Sequence, residues 1–414
     1  MSGRAQTLIF KICFITSFIV TSLVALLIAV VLYGTLRLVS VDFYRKAIWY
    51  LMVGAYAHVA FVADWWSLLE LNLYMNKDDF RNYFGKEHAL LIINHSYDID
   101  WLPLVSICAR MNLLGNIKIF VKRSLQYIPI LGWSFILTDY VLLHRSYKKD
   151  LKIIQDSVRS LATYPYPLWQ TDFRLPNETS STINSYSRDN GVIEPCSVVH
   201  TFQLLLYPEG TWPTEDSFRK SRAYAEKMCL PQLKHHLQPR TAGFVTTLRE
   251  MRGRIKVVYN VEIAFREGQT KPCCSSVLEG KQMIADIYIK RISEADIPMD
   301  RSQQEYFLRE MFQIKVSILI LIPDRLRDSF IETGSFFAES DVPVETRFKI
   351  ERPLYVVVVF FTCCSLVLAL TFYALMCLYR SYGLTAPVYV LTAISTCSIV
   401  IFNAGISATI IQNE

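Results

Sequence analysis

Five positions separate a histidine from an aspartate in the stretch Leu91, Ile92, Ile93, Asn94, His95, Ser96, Tyr97, Asp98, Ile99, Asp100. The apolar residues that lead into it read as a strand, and the C-terminal ends of strands are where α/β sheets expose reactive groups. If the chain turns into a helix just after His95, Asp100 comes round to the imidazole, holds the proton on one nitrogen and leaves the other as a base. Such a pair can deprotonate a hydroxyl. The same residues fit equally well a polar helix cap, opened by Asn94 or Ser96, in which His95 is incidental.

A second apolar run, Leu204, Leu205, Leu206 and Tyr207, stops at Pro208, Glu209, Gly210 and Thr211. Gly210 permits close backbone approach and Thr211 supplies a hydroxyl; an ordinary strand-to-loop turn uses the same residue types. Cations stand where further strands end: Lys122 and Arg123 after one, Arg145 after another, and Arg240 after Pro239. Grouped at one edge they could grip a phosphate, Arg in bidentate fashion. Taken singly, each also fits a solvated positive surface. No metal is expected: the His235 and His236 pair lacks the i, i+4 spacing and companion Glu of a helical zinc site. The ten cysteines show no Cys-x-x-Cys spacing, so neither structural zinc nor a disulfide framework is expected.

The elements that must hold these groups alternate. Leu90–Ile93, Ile117–Val121, Tyr140–Leu143, Leu204–Tyr207 and Val257–Phe265 read as strands, and Lys149–Leu161 and Lys220–Met228 as helices. Alternation of this kind predicts an α/β fold, a mixed sheet flanked by helices. Tyr164–Ser197 breaks the rhythm with Pro165, Pro167, Pro176 and Pro195 and reads as a mobile insertion. Asn177, Glu178 and Thr179 within it fit a glycosylation acceptor if that region faces a lumen.

Composition adds a membrane. Hydrophobic residues make up 52% of the chain and charged residues 19%, where soluble domains carry about a quarter charged. Twenty-five uncharged residues separate Lys11 from Arg37, enough helix to cross a hydrocarbon core of about 30 Å. The run has no cleavage site of the signal-peptide kind and reads as a retained anchor. Ala47–Ala63 is shorter and contains His58, so its status as a span stays open. Pro353–Tyr379 and Ser381–Asn413 read as two more spans joined across Arg380. The expected organisation is an N-terminal anchor or hairpin (1–66), a working domain (67–350) and a C-terminal transmembrane hairpin (351–414). Net charge is +6 with no dense Lys/Arg block, which suits an anionic lipid or nucleotide-bearing ligand rather than nucleic acid.

Taken in order, these clusters resemble the 1-acylglycerol-3-phosphate acyltransferase branch of the glycerolipid acyltransferase superfamily. Asn94 and His95 through Asp100 are similar to that family's His-four-residues-Asp box. Lys122, Arg123, Ser124 and Leu125 through Pro129, Gly132 and Trp133 are similar to its Lys, Leu, Pro and Gly-Trp segment, and Arg145 falls where its second box ends in Arg. Pro208, Glu209, Gly210 and Thr211 resemble its third box. Lys234, His235, His236 and Leu237 through Pro239, Arg240, Thr241, Gly243 and Phe244 are similar to a stretch of its longer eukaryotic members. The resemblance covers roughly residues 85–270. It departs at Trp212, where many members have Arg, at His144, where an Asp is usual, and at Val257–Val261, where a Pro is often found.

The resemblance implies an enzyme of the endoplasmic reticulum membrane, multi-pass, that acylates lysophosphatidic acid at its free sn-2 hydroxyl. Acyl-coenzyme A would be the co-substrate, with no further cofactor. His95 would be the base and Asp100 its orienter. Asn94, Lys122, Arg145, Glu209, Gly210, Thr211 and Arg240 would bind substrate. Two other readings stay open: a larger lysophospholipid acceptor such as lysocardiolipin or lysophosphatidylinositol, and a catalytically silent membrane scaffold.

Overall fold

The computed structural model describes residues 3–144, 146–161, 163, 203–266, 270–312, 323–338 and 344–383, with 385, 388 and 392. Among these residues eight strands form one sheet: β1 (Glu70–Tyr74), β2 (Ala89–Ile93), β3 (Ile117–Lys122), β4 (Val141–Leu143), β5 (Gln203–Leu206), β6 (Val257–Phe265), β7 (Ile284–Ser293) and β8 (Arg347–Phe348). Their order is β4-β3-β5-β2-β6-β7-β1-β8. The first five in that order run parallel; β6 and β7 are antiparallel, β7 and β1 parallel, and β1 and β8 antiparallel. This is the mixed α/β sheet that the alternation predicts.

The apolar runs of β2 (Ala89–Ile93) and of Leu204–Leu206 in β5 follow from burial on both faces, and β6 is buried along its whole length although Asn260 and Glu262 interrupt its apolar residues. Alternate residues of β2 serve separate cores: Leu91 and Ile93 join one with Leu205, Tyr259 and Val261, while Leu90 and Ile92 join another with Leu204, Leu206 and Val258. Each such buried Leu or Ile contributes roughly 1.5–3 kcal/mol. Over the second core pack the helices Tyr147–Leu161, Thr241–Glu250 and Arg301–Phe312, through residues such as Val158, Phe244 and Leu308. The first core takes in Leu102 and Ile107 of the Trp101–Arg110 helix. It also takes in Phe14, Ala60 and Phe360 of the long apolar helices. One face of the sheet thus sits toward the membrane elements.

Among the described residues three helices are long and apolar enough to cross a membrane: Phe10–Val39, Val41–Trp66 and Leu354–Tyr382. The second settles the open status of Ala47–Ala63 as regards length, because the helix begins earlier and runs on through a π-type turn at Val62–Trp66. Inside lipid, polar groups must find partners within the protein. His58 Nδ1 lies 2.9 Å from the Gly54 carbonyl and therefore donates to it, so Nε2 accepts from the Ser17 hydroxyl at 3.1 Å. The Cys364 thiol in turn lies 3.1 Å from Ser17 Oγ, tying all three helices together.

Two ion pairs, one buried and one partly buried, fasten this bundle to the sheet domain. Asp64 accepts from Arg110 at 2.7 Å and from Ser106 at 2.5 Å, and Arg110 also donates to the Ile350 carbonyl. Arg45 donates to Asp139 at 2.8 Å and to Ser160 at 2.7 Å. The stretch 164–197, with Asn177, and nearly all of the second C-terminal span expected at 381–413 lie outside the described residues, as does Arg145.

Candidate active site

Parallel strands place their C-terminal ends on one edge. Along that edge stand, in order, the ends of β4 (Leu143, His144), β3 (Lys122, Arg123), β5 (Leu206, then Tyr207 to Gly210) and β2 (Ile93, then Asn94 and His95). Neighbouring strands lie about 4.8 Å apart, so β3 stands two spacings, roughly 10 Å, from β2.

Beyond Ile93 the chain does not enter a helix at once. A tight turn spans residues 97–100, and the helix begins at Trp101 with Asp100 in the capping position. Its carboxylate does not cap that helix but turns back. Asp100 Oδ2 accepts from His95 Nδ1 at 2.8 Å, from the Ser96 amide at 2.5 Å and from the Tyr97 amide at 2.8 Å. His95 is therefore not incidental to a cap. An ionised carboxylate only accepts, so the imidazole proton sits on Nδ1 and Nε2 is left as a base. The Asp100 side chain is 1% exposed and that of His95 22%. The orienting group is sealed while the base reaches solvent.

Asn94 is fully buried and spends its amide on structure: it accepts from the Ile263 amide at 2.7 Å and donates to the Ile263 carbonyl at 3.0 Å and to Ser96 at 3.2 Å. Both of its N–H donors are thus used within the protein, which pins the end of β2 to β6. Glu209 is likewise buried. Its Oε1 accepts from the His95 amide at 2.9 Å and its Oε2 from the Leu237 amide at 3.0 Å. A carboxylate sealed from solvent with an oxygen on each of two backbone amides sets the position of His95 and of the 236–240 segment. His236, buried with it, lies between Glu209 (3.5 Å) and Glu262 (3.6 Å).

That segment meets the 207–210 turn again where the Arg240 amide donates to the Pro208 carbonyl at 2.8 Å. Gly210 has φ of +75°, and a Cβ there would lie 3.3 Å from the Arg240 guanidinium. Glycine therefore serves both the turn and the close approach of an exposed cation. Thr211 and Lys122 are half-buried, the latter at the end of β3. Of the residues singled out in the sequence, the structure gathers His95, Asp100, Asn94, Glu209, Gly210 and Arg240 around the ends of β2 and β5, with Thr211 next in chain. Lys122 stands farther along the same edge.

Two aromatic rings that the motifs do not mark flank the imidazole: Tyr207 with ring centroids 5.1 Å apart and Trp212 at 6.2 Å, edge-on. Burial, and after it the charge of Asp100, pushes the Tyr207 phenol well above its usual range, so it stays neutral. Its only sequence signal is its place at the end of an apolar run. Behind the dyad, Asp98 is raised by burial despite an opposing hydrogen bond from the Cys274 amide. Cys274 itself is pushed up to about 12 by burial and by Asp98. Next to it Cys273 is lowered: burial opposes this, but the hydroxyls of Ser275 and Ser276, at 3.1 and 3.3 Å, outweigh it. No cluster of three or more metal-ligating side chains occurs among the described residues.

This constellation, a base oriented by a sealed carboxylate at a sheet edge, suits group transfer to a hydroxyl, and comparison with known proteins agrees. The sequence pattern of the acyltransferase family matches residues 74–258, and that of the acyltransferase C-terminus matches residues 276–363. The chain is 30% identical over 305 residues to the protein named 1-acyl-sn-glycerol-3-phosphate acyltransferase gamma of Homo sapiens, covering 74% of this chain and 69% of that one. The delta protein of Homo sapiens is 30% identical over 287 residues, 69% of this chain and 64% of its own length. The delta protein of Bos taurus is 28% identical over 305 residues, 74% and 69%. The chain belongs to the 1-acylglycerol-3-phosphate acyltransferase family and is an acyltransferase, with apolar helices that make it a membrane protein.

Proposed function

We propose that the chain transfers a fatty acyl group from acyl-coenzyme A to the free sn-2 hydroxyl of lysophosphatidic acid, giving phosphatidic acid. What carries this reading is the Asp100 contact that fixes the His95 proton on Nδ1 and leaves Nε2 toward solvent. His95 takes the hydroxyl proton as that oxygen attacks the thioester carbonyl. The coenzyme A sulfur leaves and recovers the proton from the imidazolium, which the Asp100 carboxylate stabilises. General-base action of this kind contributes about 10²–10⁴-fold, and alignment of two bound substrates supplies much of the rest. Lys122, Arg145, Thr211 and Arg240 are the groups this reading assigns to phosphate. Asn94 and Glu209 act through the backbone at His95, and Gly210 through the turn. The endoplasmic reticulum membrane and a multi-pass topology belong to the same reading, as does a catalytic domain over 67–350.

A second acceptor class has one observation in its favour. Trp212 stands where the family resemblance leads to the expectation of an Arg, and its ring lies edge-on to His95. An indole there offers a larger or less charged head group an apolar surface. The deciding experiment offers labelled oleoyl-coenzyme A and a panel of lysophospholipids to membranes holding wild type or His95→Ala. Phosphatidic acid as the main product, lost with His95, supports the reading. A different main product transfers it to that acceptor, and activity that survives His95→Ala sinks the dyad mechanism.

A further inference from the structure

Ser124 to Thr138, which lead from the end of β3 toward β4, contain no charged residue. Within this stretch the Leu131 amide donates to the Pro129 carbonyl at 2.7 Å, a three-residue turn whose centre, Ile130, has φ +67° and ψ −57°. A β-branched residue is held in that conformation only where the surroundings over-determine it. Gly132 is one of those surroundings, since a Cβ on it would lie 2.1 Å from the Gln126 carbonyl oxygen. Clamped in this way, the segment turns its apolar side chains outward: Tyr127 is 80% exposed, Trp133 57%, Ile136 46% and Leu131 42%. Trp133 and Ile136 are three apart on the Leu131–Leu137 helix and share a face.

The other side of this helix is continuous with the bundle. Leu137 joins the apolar cluster of Ala25, Ala29, Ile48 and Met52, contributed by the first two long helices, and its carbonyl accepts from the Tyr44 hydroxyl at 2.8 Å. Charges stand only at the margins: Lys122 and Arg123 before the stretch, and after it Asp139, paired with Arg45 and with Arg37 at 3.8 Å. Apolar side chains with Trp and Tyr, rimmed by cations, are the composition of a membrane–water boundary.

We infer that the face of Tyr127, Leu131, Trp133 and Ile136 is seated in the bilayer beside the first two spans, a lipid surface being its partner and Lys122 and Arg123 lying at head-group depth. Because the segment leaves the same sheet edge as His95, it holds that edge against the lipid from which an acylated acceptor must come. The inference rests on reading the long helices as membrane spans, and the test separates the two. Full-length protein carrying p-benzoyl-L-phenylalanine in place of Trp133, Ile136, Leu366 or Tyr306 is reconstituted into phosphatidylcholine–phosphatidylglycerol vesicles with tritiated lipid and irradiated. Leu366 is exposed on the Leu354–Tyr382 helix, and Tyr306 is exposed among Glu305, Arg309 and Glu310. Lipid adducts at positions 133 and 136 comparable with 366, and roughly tenfold above 306, are the expected result for an apolar face in the acyl-chain boundary. Labelling at 366 with 133 and 136 at the level of 306, or protein adducts there in place of lipid, overturns the seated face. Absence of lipid adducts at 366 as well removes the membrane reading, and the inference with it.

Discussion

Replacing Glu209 by Gln keeps the side chain's shape and removes its charge, and the effect should fall on turnover rather than on acceptor affinity. The two carboxylate oxygens take the amides of His95 and Leu237 at 2.9 and 3.0 Å in a buried site. Glutamine retains one acceptor and turns an NH₂ toward the other amide. The remaining bond loses its charge assistance, worth roughly 1 kcal/mol, and the orphaned amide costs about 1–3 kcal/mol. A total near 3 kcal/mol, expressed in the placement of His95, corresponds to about a hundredfold in rate. Steady-state acylation should therefore show kcat lower by about 10², the acceptor KM within roughly threefold of wild type, and a thermal midpoint lower by several degrees. The reverse pattern, an acceptor KM raised tenfold or more at unchanged kcat and stability, would mean that the carboxylate meets the lipid. That outcome refutes the positioning role.

Three further outcomes are expected. Burial brings the Lys118 ammonium down to about 8; from there to the ordinary lysine value near 10.4 the unfolded chain holds one proton more than the folded one, so stability rises with pH by roughly 3 kcal/mol across that window. Denaturation of wild type and Lys118→Met at several pH values checks this, the variant lacking that rise. Maleimide labelling followed by peptide mass spectrometry should find Cys273 modified near neutral pH and Cys274 spared, because one thiol is lowered and the other is pushed up to about 12; equal labelling contradicts the assigned environments. Asp64→Ala leaves the buried Arg110 guanidinium without its carboxylate and should cost about 3–5 kcal/mol, read as a loss of folded yield and a lowered melting temperature.

The parallel half of the sheet was legible because apolar residues dominate its strands, without interruption in Leu90–Ile93 and Leu204–Leu206 and with only Asn260 and Glu262 intervening in Val257–Phe265, which matches its predicted limits. β1 and β7 were not, because each carries a polar residue that only distant parts of the chain satisfy. Asn72 donates to Asp286 at 2.5 Å and accepts from Arg347 at 2.7 Å, and Asp286 also accepts from Arg266. Such residues break the apolar pattern locally and are resolved only by long-range pairing. At the site, His95 and Asp100 were legible as a pair five residues apart. The grip of Asp100 on the amides of Ser96 and Tyr97 was not, since the chain makes a turn before its helix. The attachment of Glu209 to His95 depends on the β2–β5 register, in which Leu91 faces Leu205, and no local signal announces it.

The hydrogen-bonded Ser17, His58 and Cys364 have a bearing on how the chain is made. Ser17 and Cys364 are 347 residues apart, and at about 5–20 residues per second a ribosome needs roughly 17–70 s to produce the second after the first. The first two long helices are complete well before the third contributes its thiol, and the whole sheet is synthesised in between. Closure of the three-helix contact is thus a late event in biogenesis, and a chain arrested before Cys364 would keep the Ser17–His58 bond between the first two helices and lack only the thiol contact at Ser17 Oγ.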